Sequence, residues 1–283
     1  MGFLCYILAK VNNKTENNMT LKTYLVSISM LGCSAIYPVY AQNASVDDST
    51  QKSRQNYDQV QNTQNKLLDE KIAYNALEKA KQSLNTGHPQ QAIAALQTAI
   101  QYFEKYQNNS QDTLYAANGT AETLLYLMLD MGKQKNIRVF SSCWADLYFQ
   151  AAYAFIELND LKNAQVKLQS ALTLSPFNSE YLKEAGFIQQ AQNQWQASLE
   201  SYKAAEQHLY LLEPEEKRLA IQQSVRRSLG VSLIELNQLD EATQYFNKVL
   251  KVDPSDAKAR NELNYIDELK KKGHVAKQPI GRV

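Results

Sequence analysis

From residue 70 onward, apolar and polar positions alternate at helical spacing, broken by short turns. Ala76, Ala80 and Leu84 recur on one face; Gly87 interrupts, and His88-Pro89 opens a second periodic run through Ala92, Leu96 and Ala99. Apolar residues three and four apart share a helix face, Gly supplies a turn, and Pro suits the first helical position. A helix–turn–helix pair is therefore expected over about 73–106, its second helix extended by Tyr102, Phe103 and Tyr106. The same classes of residue return at Ala152, Ala164, Leu168, Ala171 and Pro176. They return again 34 later (186 − 152) at Gly186, Ser198, Tyr202 and Ala205, and a further 44 later (230 − 186) at Gly230, Ala242, Phe246, Val249 and Pro254. Three more pairs are expected over 145–178, 179–212 and 223–256.

Two stretches break the period. In 107–144, "TAETLLYLMLDMG" reads as a helix from Thr120 to Gly132, and "KNIRVFSS" looks extended because β-branched and aromatic residues crowd together. The expectation there is a degenerate unit of one helix plus an irregular connection. The ten extra residues before the last pair should lengthen both helices beside them, with Pro214 where a new helix begins. After Ser255, the amphipathic segment Ala257–Leu269 should close the array as a capping helix. Its Lys270-Lys271-Lys272 run is a solvated end favoured by the helix dipole, and Gly273 stops it before a tail over 273–283.

The recurring small, small, aromatic-or-Leu, small pattern resembles the tetratricopeptide repeat, with a small residue at position 8, Ala at 20, an aromatic near 24, Ala at 27 and Pro at 32. Small residues are needed where the two helices approach closest; a larger one fills the groove between them; Pro ends the second helix. The resemblance spans about residues 70–272 and implies an all-α fold, a right-handed α-solenoid of helix–turn–helix repeats with a C-terminal capping helix. It also implies a non-catalytic protein that binds a protein or peptide partner in a concave groove lined by each repeat's first helix. On those helices, positions 2, 5, 9 and 12 form one stripe. They read Asp146, Phe149, Tyr153, Ile156; then Glu180, Lys183, Phe187, Gln190; then Ser224, Arg227, Val231, Ile234. Phe149, Tyr153, Lys183, Phe187, Gln190, Arg227 and Val231 are the candidate contacts. One branch of the family clamps a peptide's terminal carboxylate with basic residues at position 5. Lys183 and Arg227 match that, but Tyr153, Phe187 and Val231 stand where the clamp uses Asn. The opposing reading is that these residues only pack neighbouring helices.

Ahead of the periodic region, Lys22 and the apolar run Thr23–Ile36 precede Val39-Tyr40-Ala41, the pattern of a secretory signal cleaved before Gln42. Residues 1–41 are thus read as an N-terminal extension and signal, and the protein as exported to a bacterial periplasm. Met30-Leu31-Gly32-Cys33 offers a lipoprotein alternative with Cys33 lipidated; an uncleaved anchor is a third. Residues 42–66 are Gln, Asn, Ser and Asp with little to bury, and are expected as a disordered linker before a solenoid over 67–272.

Composition narrows the chemistry. The chain carries +1 net charge, and with Lys10, Lys14, Lys22 and Glu16 removed the remainder holds 27 basic and 28 acidic groups, so nucleic acid is not an expected partner. Of Cys5, Cys33 and Cys143, only Cys143 lies in the periodic region, where it is expected to pack at a helix start. His88, His208 and His274 pair with no second ligand at metal spacing, and no phosphate loop or nucleophile motif occurs. Glu157, Asp160, Glu235 and Asp240 read as turn and cap residues, and Trp195 as core; Trp144 should pack on the irregular connection. No cofactor, metal or catalytic residue is expected. A carrier holding a small or lipidic ligand in the solenoid groove is the alternative to a peptide-binding scaffold.

Overall fold

The computed structural model describes residues 69–129 and 136–273. Its elements are α1 (Glu70–Asn85), α2 (Pro89–Asn109), β1 (Thr113–Ala117), α3 (Thr120–Leu129), β2 (Ile137–Ser141), α4 (Cys143–Glu157) and α5 (Leu161–Leu174). Then come α6 (Ser179–Ala191), α7 (Trp195–His208), a 3₁₀ turn (Leu209–Leu211), α8 (Glu215–Glu235), α9 (Leu239–Val252) and α10 (Ala257–Lys271). Four hairpins, α1–α2, α4–α5, α6–α7 and α8–α9, stack into an α-solenoid, and α10 packs on α9 and α8. The signal segment, the linker, Cys33 and the tail lie outside the described residues.

Each hairpin turns by the same backbone device. Gly87, Asn159, Asn193 and Asn237 have φ of 74°, 56°, 58° and 59°. The next residue's N–H reaches five residues back, as in His88 to Ser83 O and Asp160 to Phe155 O. Gln194 to Gln189 O and Gln238 to Leu233 O repeat the pattern, all within 2.8–2.9 Å. This is the Schellman termination, in which a left-handed residue satisfies carbonyls that the ending helix leaves open. Gly and Asn adopt that conformation at least cost. Asp160 and Asn178 then cap the next helices, their side chains accepting from Asn163 N and from Glu180 N and Tyr181 N. Two hydrogen bonds from Asn163 hold the Asp160 carboxyl below the usual carboxylate range.

Inside each hairpin the small positions are buried. Ala80, Ala92, Leu96 and Ala99 of the first are at most 1% exposed, and Gly230, Ala242, Phe246 and Val249 of the last are likewise buried. Ser198, the polar member of the series, donates to Gly186 O at 3.0 Å, so its burial leaves no hydroxyl unmatched.

Residues 107–144 do not form a unit of the stack. Both α1 and α2 pack directly on α4, so the first and second hairpins are neighbours and the segment between them leaves the array. It folds as strand, helix and strand. The stretch expected as an irregular connection is β2, which pairs in parallel with β1 from Thr113↔Ile137 to Ala117↔Ser141. Parallel strands need a crossover, and α3 supplies it. The insertion is tied down by Ser141 Oγ donating to Glu70 (2.7 Å), Ser175 Oγ donating to Ala116 O (2.5 Å), and Phe140 set edge-on to Phe103 and Tyr106. Trp144 packs on the solenoid itself, stacked with Phe103 at 5.1 Å. Cys143 is buried beside Ser141, and burial pushes its thiol up to about 12.

The ten extra residues also differ from expectation. They lengthen α8 to 21 residues, whereas α7 keeps 14, the same as α5 and α9. Leu209, Leu211 and Leu212 are buried and pin a 3₁₀ turn after α7, and Pro214 stands at the N-cap of α8. A proline disfavours helix in the residue before it, which closes the route to one longer helix B.

Candidate peptide-binding groove

The residues predicted to line the groove lie on α4, α6 and α8, and the structure gives them unlike environments. Tyr153 and Phe187, 34 residues apart and at the same point of successive repeats, are 40% and 37% exposed. Large aromatic side chains left open at equivalent points suit contact with another molecule. Phe149, one turn before Tyr153, is instead stacked on Tyr181 with ring centroids 4.8 Å apart. Val231 is half-buried against the C-terminal core.

Gln190 is a bridge between repeats. It donates to Ser228 O at 3.0 Å and Ser232 Oγ at 2.9 Å, and accepts from Tyr202 OH at 3.1 Å. The two basic candidates have acidic partners within the protein. Lys183 Nζ lies 3.0 Å from Glu184, and Arg227 Nη1 donates to Asp256 at 2.6 Å. Asp256 is the N-cap of α10, its other oxygen accepting from Ala259 N, so Arg227 ties the capping helix to α8. Position 5 therefore serves packing at Arg227, and the carboxylate clamp read from spacing has its cations already matched.

Around Tyr153 the field is acidic. Burial, then the neighbouring Glu157, which also hydrogen-bonds the phenol, and Glu184 raise its pKa above the usual phenol value. Glu180 is bound by Lys217 of α8 at 2.5 Å. The open part of the groove is thus two aromatic faces; Glu184 and Glu180 nearby carry lysine partners, and Glu157 meets the Tyr153 phenol.

Spacing put Asp146 on this stripe but missed the cluster it joins, where the insertion meets the solenoid. Glu122 of α3, 3% exposed, accepts from Asn118 N at 2.7 Å and from Tyr126 OH. Asp146 of α4 accepts from Tyr181 OH at 2.6 Å and Ser142 Oγ at 2.9 Å. Burial raises the pKa of both carboxyls, against the lowering effect of their hydrogen bonds. The signal available in sequence was Glu122 in the first turn of an otherwise apolar helix. Such a residue reads as a solvated cap until the partner surface is known. Among the described residues, no group of three or more His, Cys, Asp or Glu is arranged to hold a metal ion.

Stacked hairpins with small residues at the closest approach define a helical-repeat solenoid. A family model for the tetratricopeptide repeat matches residues 145–178 and 228–256, which are the hairpin α4–α5 and most of the hairpin α8–α9. Among solved structures the chain resembles Pseudomonas aeruginosa pilF at a TM-score of 0.50 and 15% identity, covering 72% of this chain and 71% of that one. It also resembles a tetratricopeptide repeat protein from Parabacteroides merdae ATCC 43184 (TM-score 0.49, 15% identity, 71% and 61% covered). A chain of the APC/C hetero-tetramer Cut9-Hcn1 aligns at a TM-score of 0.47 and 18% identity, over 68% of this chain and 29% of that one. At 15% identity the likeness to pilF concerns the fold alone. No curated protein matches the sequence.

Proposed function

We propose that the protein is a non-catalytic interaction module that holds a peptide segment of a partner protein across α4 and α6. Tetratricopeptide repeats commonly mediate protein–protein interaction. The observation that carries the reading here is the exposed pair Tyr153 and Phe187 at one repeat position. Glu157 at the Tyr153 phenol favours a neutral or basic segment over a terminal carboxylate at that point. The signal pattern over residues 22–41 supports export to a periplasm, where the module would act as a scaffold or assembly factor for cell-envelope machinery. A lipidated Cys33 would tether it to a membrane. A carrier for a small or lipidic ligand is the second reading; it requires an enclosed apolar chamber, whereas Tyr153 and Phe187 lie open.

Affinity capture tests the proposal. The wild-type chain and a Tyr153→Ala/Phe187→Ala variant are immobilised side by side and exposed to native envelope extract. A protein retained by the first and lost by the second supports the reading, and identical captures refute it.

A further inference from the structure

Independently of the groove, we propose that a cavity between the end of α2 and the start of β2 binds an acidic monosaccharide of the uronate class. Its ring would lie on two tyrosines and its carboxylate would meet Lys105.

This open cleft measures about 490 Å³, and its lining includes Tyr102, Lys105, Tyr106 and Asn109. These residues follow the i, i+3, i+4, i+7 spacing, so the last two turns of α2 turn one face to it. Ser110, Gln111, Asp112 and Arg138 complete the lining. The volume lies in the range of small-molecule sites, roughly 300–1,000 Å³. The cavity exists because the insertion leaves the array at Ser110 and returns along β2.

Charge sets the sign of the ligand. Arg138 gives Nε and Nη2 to Asp112 Oδ2, at 2.9 and 2.8 Å, which pairs one cation with one anion. Arg138 Nη1 is buried with no partner, and Lys105 has no ion pair among the described residues. One positive charge is left over, which suits a monoanion.

Hydrogen-bonding capacity sets the class. Asn109 donates to Lys105 O at 2.7 Å, which leaves its amide oxygen free to accept. Ser110 Oγ accepts from Asp112 N at 3.1 Å and keeps its own proton to donate. With the Gln111 amide, the wall mixes donors and acceptors. Bare phosphate offers acceptors almost alone and would leave the amide oxygens of Asn109 and Gln111 without a donor. Sugar hydroxyls both give and accept, and the C–H face of a pyranose packs on flat aromatic rings. Tyr102 and Tyr106 stand one helical turn apart, with Tyr102 37% exposed.

The tryptophan fluorescence of Trp144 reads this site, because its buried ring stacks on Tyr102 at a centroid distance of 6.0 Å. In the full chain carrying Trp195→Phe, which leaves Trp144 as the single tryptophan, sodium D-glucuronate should change the emission saturably. D-glucose and inorganic phosphate should each bind at least tenfold more weakly. Lys105→Ala, an exposed position that leaves the melting temperature in place, should weaken glucuronate at least tenfold and leave glucose unchanged. Three results overturn the proposal: no saturable response to glucuronate, phosphate binding as tightly as glucuronate, or unchanged glucuronate affinity in Lys105→Ala.

Discussion

Gly230 and Phe246 are a fitted pair: a Cβ placed on Gly230 would stand 2.5 Å from Phe246 Cε2, inside the ring's contact surface. Gly186 and Tyr202 are the same pair one repeat earlier, with the Cβ 2.8 Å from Tyr202 Cε1. In the first two hairpins the equivalent pairs are Ala80 with Leu96 and Ala152 with Leu168, all at most 2% exposed. The two positions share a fixed space. Where the second helix brings an aromatic ring, the first gives up its side chain altogether.

That relationship predicts a rescue. Gly230→Ala should destabilise the protein by about 1–3 kcal/mol through overpacking, despite alanine's better helix propensity. Adding Phe246→Leu should recover at least half of the loss, because the pair then matches Ala152 and Leu168. Denaturant unfolding of the two single variants and the double variant measures the coupling. Strictly additive losses would show that the two sites do not share space.

The left-handed turn residues make a second prediction. Asn237→Ala should cost about 1 kcal/mol, since an alanine Cβ crowds the backbone at positive φ, whereas Asn237→Gly should be close to neutral. Equal unfolding midpoints for Asn237→Ala and wild type would contradict the turn geometry.

The stacked hairpins and their phase were legible in the sequence because Ala, Gly and Pro each mark one place in the repeat for steric reasons. The insertion was not. "KNIRVFSS" announced an extended chain, but the pairing of β2 with β1 depends on a crossover that periodicity does not encode. The groove was legible in position and not in use. The spacing that put Arg227 on the stripe could not show that Asp256, 29 residues on, would take its charge. Gln190 and Phe149 were likewise consumed by contacts to the next repeat.

Glu122 predicts a pH dependence. Burial raises its folded-state pKa above the unfolded value, so the folded state binds the proton more tightly. The stability this contributes is complete below the ordinary carboxyl pKa of about 4.3 and is lost as pH rises through the folded pKa. Glu122→Gln should therefore flatten the fall in melting temperature above about pH 4 relative to wild type. Parallel curves for the two proteins would remove Glu122 as the cause.

The proposed export is checked by N-terminal sequencing of the mature protein, where the pattern Val39-Tyr40-Ala41 predicts a first residue of Gln42. A lipid-modified Cys33 at the terminus would replace that route with membrane tethering.

The groove is tested most directly by titrating a captured partner segment against three single variants by calorimetry. Phe187→Ala and Tyr153→Ala should each weaken binding at least tenfold, with little salt dependence, because both act through buried apolar area. Val166→Ala on α5, a second helix of its hairpin and 56% exposed, should bind as wild type does. All three should keep the helical circular-dichroism signal. Undiminished affinity in both aromatic variants, or a loss in Val166→Ala alone, would contradict recognition through the concave face.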